Sequence, residues 1–521
     1  MSSKNKDKPA ATAKDAGPKT GMQKVLDVVE RVGNKVPHPA VIFLLLILVT
    51  IVVGHILTMM GASVTFDQDS ESTYKIEKVT VAARTLLSGD GIRFMYTTMI
   101  PSFMGFTAVG LLIAAMIGAG VAEEAGLVKA IIRKLVIVAP RWSMTYLLVF
   151  VGILSSVAAD AGYLVLIPLA GIAFMSLGRH PLAGLAAGFA AVAGAFTVNM
   201  LIKPLDAVLT QFTNDAIHLV NPNLSLDLTA NLWFSIVSVI FLTFIISFIT
   251  TRMIEPRLGE YTGERPADAE AGVTPEESRG LVWAGLALVG TLLVFGLLTL
   301  LPNAPLRNQT TGSVIGDSPF MNHLIVLIMV LFLTTGAAFG LGSGKMKGIT
   351  DIVKAIEKSL GGLGGLLLLL FIISQFIAYF NYTNMATIMA VKMADMLGSG
   401  NIHPSLLLLA FIIVVMILDL LITGAIAKWA IFAPVFVPIF VRLGVDPAAV
   451  LAAYRIGDSP INMITPLNAY FAMVVVFAQK YQKDAGVGTV VALMLPYVIG
   501  ISVLWTALFL VWYTLGLPFG I

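Results

Sequence analysis

Seven ionisable residues lie inside otherwise apolar stretches of this chain: Asp160, Lys203, Asp206, Asp419, Lys428, Arg455 and Asp458. A charge taken out of water is costly unless it is paired or used, so each marks a candidate site. Arg455 and Asp458 stand three residues apart, which places both on one face of a helix. The guanidinium can grip a solute carboxylate bidentately, or the two side chains can close a structural ion pair. Asp206 and Asp458, with Asp419, are the candidates for carrying a coupling cation or a proton; the alternative is acids merely neutralised by their neighbours. Lys203 and Lys428 either stand in for a bound cation or pair with a nearby Asp, and pairing is expected. Trp429 can offer a ring face to an aromatic solute, although Trp in such chains more often packs or anchors at an interface.

Two prolines explain where these groups gather. Pro204 follows Asn199 and Lys203, and Pro466 follows Asn462; each lacks the amide hydrogen that a continuous helix needs. A break in a membrane helix is tolerated only where protein, water or solute satisfies the freed backbone. The helix restarting after the break carries partial positive charge at its N-terminus and attracts anions. Asn199, Asn462 and Pro466 are therefore candidate solute contacts. Ser155, Ser156 and Asp160 form a polar interruption between the short apolar runs 144–154 and 163–177, as expected of a re-entrant hairpin tip.

The elements that must position these residues are membrane helices. Of 521 residues, 57% are apolar and 12% charged, too few polar groups to cover a soluble globule. Apolar stretches near 40–60, 105–121, 232–249, 281–301, 323–341 and 489–517 are each about long enough to cross a bilayer. The stretches 182–219, 362–396 and 448–479 cross with an interruption. Shorter paired arms at 144–177 and 406–440 read as hairpins. The expected fold is thus an all-α polytopic membrane protein with nine transmembrane helices and two re-entrant hairpins. Residues 1–35, rich in Lys, read as a cytoplasmic tail, and 36–521 as one transporter domain. The Lys and Arg bias of the loops puts the N-terminus inside and the C-terminus outside.

Other chemistries find no support. The stretch Gly340 to Met346 has a phosphate-loop flavour but wrong spacing, and reads as a helix end. The six His show no metal-ligand spacing, Cys is absent, and no nucleophile elbow appears. No enzyme activity, organic cofactor, firm metal site or nucleic-acid partner is expected; the coupling ion is Na+ or H+.

Residues 166–187 align without a gap onto 432–453, with nine identities in 22 positions, Pro168 with Pro434, Gly178 with Gly444 and Pro181 with Pro447 among them. Repeat 1 is about 143–221 and repeat 2 about 405–480. By the crossing count the two enter from opposite sides, an inverted repeat of the kind secondary transporters use.

Gly178-Arg179-His180-Pro181-Leu182-Ala183-Gly184-Leu185, the stretch from Trp429 to Pro438, and Tyr454-Arg455-Ile456-Gly457-Asp458-Ser459 together resemble the AbgT family of p-aminobenzoyl-glutamate transporters and antimetabolite exporters. The likeness runs from about Val36 to Pro518. It implies a homodimer in the bacterial inner membrane and a substrate pathway at Asp206, Trp429, Pro447, Arg455 and Asp458. It also implies a small anionic aromatic solute, such as p-aminobenzoyl-glutamate, a folate catabolite or a sulfonamide, moved in either direction by an ion gradient. Asp419 and Lys428 depart from the family pattern, which often has Asn and an uncharged residue there. The Ser155-Ser156 tip lacks the Ser-Asn-Thr of some relatives, which makes proton coupling a serious option. A dicarboxylate carrier of related fold and an ion channel are the competing readings.

Overall fold

The computed structural model describes residues 37, 39–70, 75–138, 140, 143–158, 162–261, 273–314, 318–399, 403–420, 422, 424–465 and 467–521. The expected 1–35 tail and the candidates Asp160 and Pro466 lie outside these described residues.

Eight helices among them are long and apolar enough to cross a membrane: Pro39–Met59, Gly89–Ala125, Leu232–Leu258, Pro275–Leu300, Leu324–Ser343, Gly364–Tyr382, Ala425–Arg442 and Val487–Thr514. Their apolar residues run all round rather than along one stripe, as lipid on one side and protein on the other require. Pro275–Leu300 is the plainest case: Thr274 and Glu277 close a capping box at its start, and large side chains such as Leu286, Leu293 and Leu297 point outward. It packs on Leu324–Ser343, which packs in turn on Thr107–Ala125. That last contact needs glycine. A Cβ on Gly336 would lie 2.6 Å from the Ala122 backbone, and one on Gly118 would lie 2.3 Å from the Met329 carbonyl oxygen.

Three expected crossings are interrupted, and only Gly364–Tyr382 among their pieces is long enough to count among the eight. The first divides into Pro181–Ala193 and Pro204–Ile217. The second divides into Gly364–Tyr382 and Met385–Ser399 around Asn384, whose φ of 59° is left-handed. The third divides into Pro447–Asp458, a short 3-10 turn Pro460–Met463, and Phe471–Gln479. Every residue of Pro181–Ala193 and of Pro447–Asp458 is buried. These two small-residue helices form the centre of the molecule. Met144–Leu154 and Ile167–Ser176 pack on the first, and Pro404–Asp419 on the second.

The aligned stretches fold alike locally. Gly178 and Gly444 end their helices at φ of 73° and 74°, a conformation that favours glycine. The next helices begin with Pro181 and Pro447 at the first helical position, and His180 and Asp446 cap the following backbone amides.

Several regions differ from the sequence reading. The stretch 61–102, where no crossing is expected before 105, contains an antiparallel strand pair, Ser63–Ser70 with Lys75–Ala82, and the helix Gly89–Met104. The alternating Val and Thr of Lys75–Ala82 carry the period of a strand, a signal hidden by attention to long apolar runs. Ala425–Arg442, expected as a short hairpin arm, is one helix of 18 residues despite Pro434 and Pro438. Two basic segments outside the expected spans also form amphipathic helices, Leu127–Val138 and Ile349–Gly361. Ion pairs from Arg133 to Glu277 and from Lys358 to Glu124 tie them to their neighbours.

Candidate functional site

The two central interruptions lie against one another. Thr197, just past the first small-residue helix, donates across to the second interruption: its amide donates to Ser459 Oγ at 3.2 Å, and its hydroxyl donates to the Arg455 carbonyl at 3.0 Å. Arg455 crosses the same gap. Its Nη1 donates to Asp206 Oδ1 at 2.6 Å and to the Thr197 carbonyl at 2.5 Å, while Nε donates to Asn231 Oδ1 at 3.1 Å.

This arrangement sets aside the structural ion pair that the spacing of Arg455 and Asp458 left open. Arg455 and Asp458 share a helix but form no ion pair with each other; Arg455 pairs with Asp206, and Asp458 pairs with Lys428. The sequence separation of three permits a contact along one helix, but the facing break supplies a carboxylate at closer range. Asp206 is fully engaged. Its Oδ2 accepts from the Lys203 amide at 2.8 Å, capping the helix it belongs to, while Oδ1 holds Arg455.

Around Lys428 the acids outnumber the cation. The ammonium contacts Asp419 Oδ1 and lies 2.8 Å from Asp458 Oδ1, and all three side chains are sealed from solvent. Asp458 Oδ1 also accepts from the Tyr454 hydroxyl at 3.2 Å. The second oxygen of each acid, Asp419 Oδ2 and Asp458 Oδ2, is buried without a hydrogen-bond donor among the described residues.

Lys203 has the opposite surroundings. Its ammonium donates to Ser156 Oγ at 3.1 Å and to the Phe196 carbonyl, and it forms no ion pair among the described residues. The pairing expected of both lysines is therefore found at Lys428 and not at Lys203. Counting formal charges over the six residues, Lys203, Arg455 and Asp206 sum to +1, and Lys428, Asp419 and Asp458 sum to −1.

Lys203 and Ser156 lie on the wall of a cavity of about 670 Å³, whose other walls come from Thr107–Ala125, the start of Gly364–Tyr382 and Gly424 to Ala427. Leu112, Met116, Leu363, Leu366 and Leu369 make it largely apolar; Glu123, Glu124 and Lys358 also line it. Its size is in the range of small-molecule sites.

The remaining candidates are placed as follows. Asn199 donates to the Leu154 carbonyl at 3.1 Å and to Ser156 Oγ at 3.0 Å, fastening the first break to the Ser155-Ser156 turn. Ser155 itself bonds the Gly152 carbonyl. Asn462 donates to the Asp458 carbonyl, and Pro447 starts the helix that ends at Asp458. Trp429 is fully buried and does not line the cavity. Its indole N–H donates to the Leu209 carbonyl at 3.1 Å and to Thr213 Oγ1 at 3.0 Å, and its ring lies 4.4 Å from that of Tyr454. It thus joins the Ala425–Arg442 helix to the Pro204–Ile217 helix.

Sequence reading missed Thr197, Asn231, Tyr454 and Ser459. None is charged; Tyr454 and Ser459 enter the sequence reading only as members of the family motif, although Ser459 stands directly before Pro460, and Asn231 stands directly before the helix at Leu232. Its amide instead spans Arg455 and the Ala448 carbonyl.

The comparisons with known proteins agree with this architecture. Residues 24–521 match the family model described as "AbgT putative transporter family". The p-aminobenzoyl-glutamate transport protein of Escherichia coli (strain K12) is 32% identical over 492 residues, covering 94% of this chain and 95% of the relative. The crystal structure of the Alcanivorax borkumensis YdaH transporter is 38% identical with a TM-score of 0.87, covering 93% of this chain and 100% of that one. The structure of Neisseria gonorrhoeae MtrF, described as illuminating a class of antimetabolite efflux pumps, is 36% identical with a TM-score of 0.88, covering 94% and 97%. The chain is a multi-pass membrane transport protein, not an enzyme, and it belongs to the AbgT transporter family.

Proposed function

We propose that this protein is an ion-gradient-coupled carrier of aromatic anions of the p-aminobenzoyl-glutamate type, or of sulfonamide-type antimetabolites, with its site where the two interrupted helices meet. The observation that carries the reading is the Arg455 to Asp206 bridge of 2.6 Å between the two breaks, beside a largely apolar cavity reached by Lys203. A carrier must hold its solute between two parts that can move against each other. A bridge of charges between broken helices, next to a solute-sized space, suits that task. The names of the relatives supply the solute class.

The local charge excess at Asp419, Lys428 and Asp458 favours a proton as the coupling ion. Lys428 already occupies the space between the two carboxylates, and a single proton would neutralise the remaining charge and give one bare oxygen a donor. The protein acts, on this reading, as a homodimer in the bacterial inner membrane, with the N-terminus cytoplasmic and the two repeats inverted.

The test is uptake of p-aminobenzoyl-glutamate into proteoliposomes, with pH and sodium gradients imposed separately. A pH gradient alone should drive accumulation, and Asp206→Ala and Asp458→Ala should each abolish it while the protein still elutes as a folded species. Near-normal flux in both variants removes the site assignment; accumulation that needs sodium removes the proton.

A further inference from the structure

We infer that Lys203, oriented by Ser156, is the seat of the solute's carboxylate, and that Arg455 is not. The inference rests on the carrier reading above and gives its site a specific anion receptor.

Arg455 was the obvious choice, yet its geometry argues against it. Like Lys203, Arg455 is almost fully buried, so exposure does not separate the two. It is already held by one carboxylate, one amide oxygen and one backbone carbonyl. A solute carboxylate could displace Asp206 only by stranding a buried acid and uncapping the Pro204–Ile217 helix. Arg455 also does not line the cavity.

Lys203 meets each requirement that Arg455 fails. It lines the cavity, and it is 1% exposed, so its charge is screened little by bulk water. Its two acceptors, a hydroxyl and a backbone carbonyl, are neutral, which leaves one of three ammonium hydrogens without an acceptor and no carboxylate within ion-pairing distance among the described residues. An ammonium so placed is stabilised by an anion entering the cavity. The neighbouring Ser156 hydroxyl accepts from both Lys203 and Asn199 while donating to the Ile153 carbonyl, so it orients the ammonium rather than neutralising it. The apolar walls then suit an aryl group attached to the anion.

The experiment measures binding of p-aminobenzoyl-glutamate and of its dimethyl ester to purified full-length protein by titration calorimetry, alongside uptake by proteoliposomes. The wild type should prefer the diacid by at least about ten-fold, the scale of one charge-assisted hydrogen bond. Lys203→Gln should remove that preference while leaving ester affinity unchanged, and Lys203→Arg should retain it. A merely structural lysine would weaken diacid and ester alike. If Lys203→Gln keeps the preference, or if Lys203→Arg loses diacid and ester together, the assignment is overturned. Wild-type protein that binds the diacid through Lys203 yet transports none of it sinks the carrier reading and spares the seat. Transport with a diacid preference independent of Lys203 does the reverse, and wild-type protein that does not prefer the diacid overturns the seat outright.

Discussion

Lys203 and Lys428 are both sealed inside the protein, beside the breaks and turns of the two aligned stretches, yet they have opposite electrostatic company. Lys428 faces two carboxylates, each with an unused buried oxygen. Lys203 faces a hydroxyl, a carbonyl and an apolar cavity. A buried charge is tolerable only with compensation, so the difference separates a cluster short of positive charge from one short of negative charge. The first is built to take up a cation as small as a proton, the second an anion. Asp206 and Asp458, alike in sequence context, fall on opposite sides of this division: one has both oxygens engaged and the other does not.

The comparison is most sharply tested by removing an acid from the negative cluster. Asp458→Asn should abolish pH-driven accumulation while solute exchange between the two faces continues, measured as counterflow in proteoliposomes without a gradient. Loss of counterflow as well would mean that Asp458 contributes to solute binding rather than to coupling.

Lys428→Gln comes next. It leaves two buried carboxylates without their cation and should cost about 3–5 kcal/mol, read as a large drop in melting temperature in detergent. The double variant Lys428→Gln with Asp419→Asn should recover much of that loss. Lys203→Gln, which strands no acid, should lower the melting temperature less; an equal loss at the two lysines would erase the distinction.

Trp429→Phe tests the joint between the two regions. The ring can still pack on Tyr454, but the Leu209 carbonyl and Thr213 hydroxyl lose their donor, at a cost of about 1–3 kcal/mol by thermal unfolding. Solute affinity should remain near that of the wild type, because Trp429 does not reach the cavity. A selective loss of affinity for aryl solutes, with stability intact, would return the ring to the binding site.

The smallest effect is expected at Arg93→Ala. Its partner Asp90 is mostly exposed, as is Arg93 itself, and exposed pairs contribute little. No measurable change in melting temperature should follow, which provides the baseline against which the buried pairs are read.

The sequence alone determined the solvent, the family and the places where the chain is interrupted. Those follow from local properties: apolar run length, the missing amide hydrogen at Pro204, and the shared Pro and Gly spacing of the aligned stretches. It also picked out the six charged groups that the structure describes around the breaks, because charge within an apolar run is conspicuous. Which of them pair was decided only by tertiary structure. Arg455 and Asp458 are neighbours along the helix, but Arg455 meets Asp206 from 249 residues away, and Asp458 meets Lys428. Ion pairing depends on distances of a few ångströms between side chains brought together by packing, and no spacing within one segment encodes them. The cavity beside Lys203 and the burial of Trp429 are likewise properties of helices assembled from distant parts of the chain.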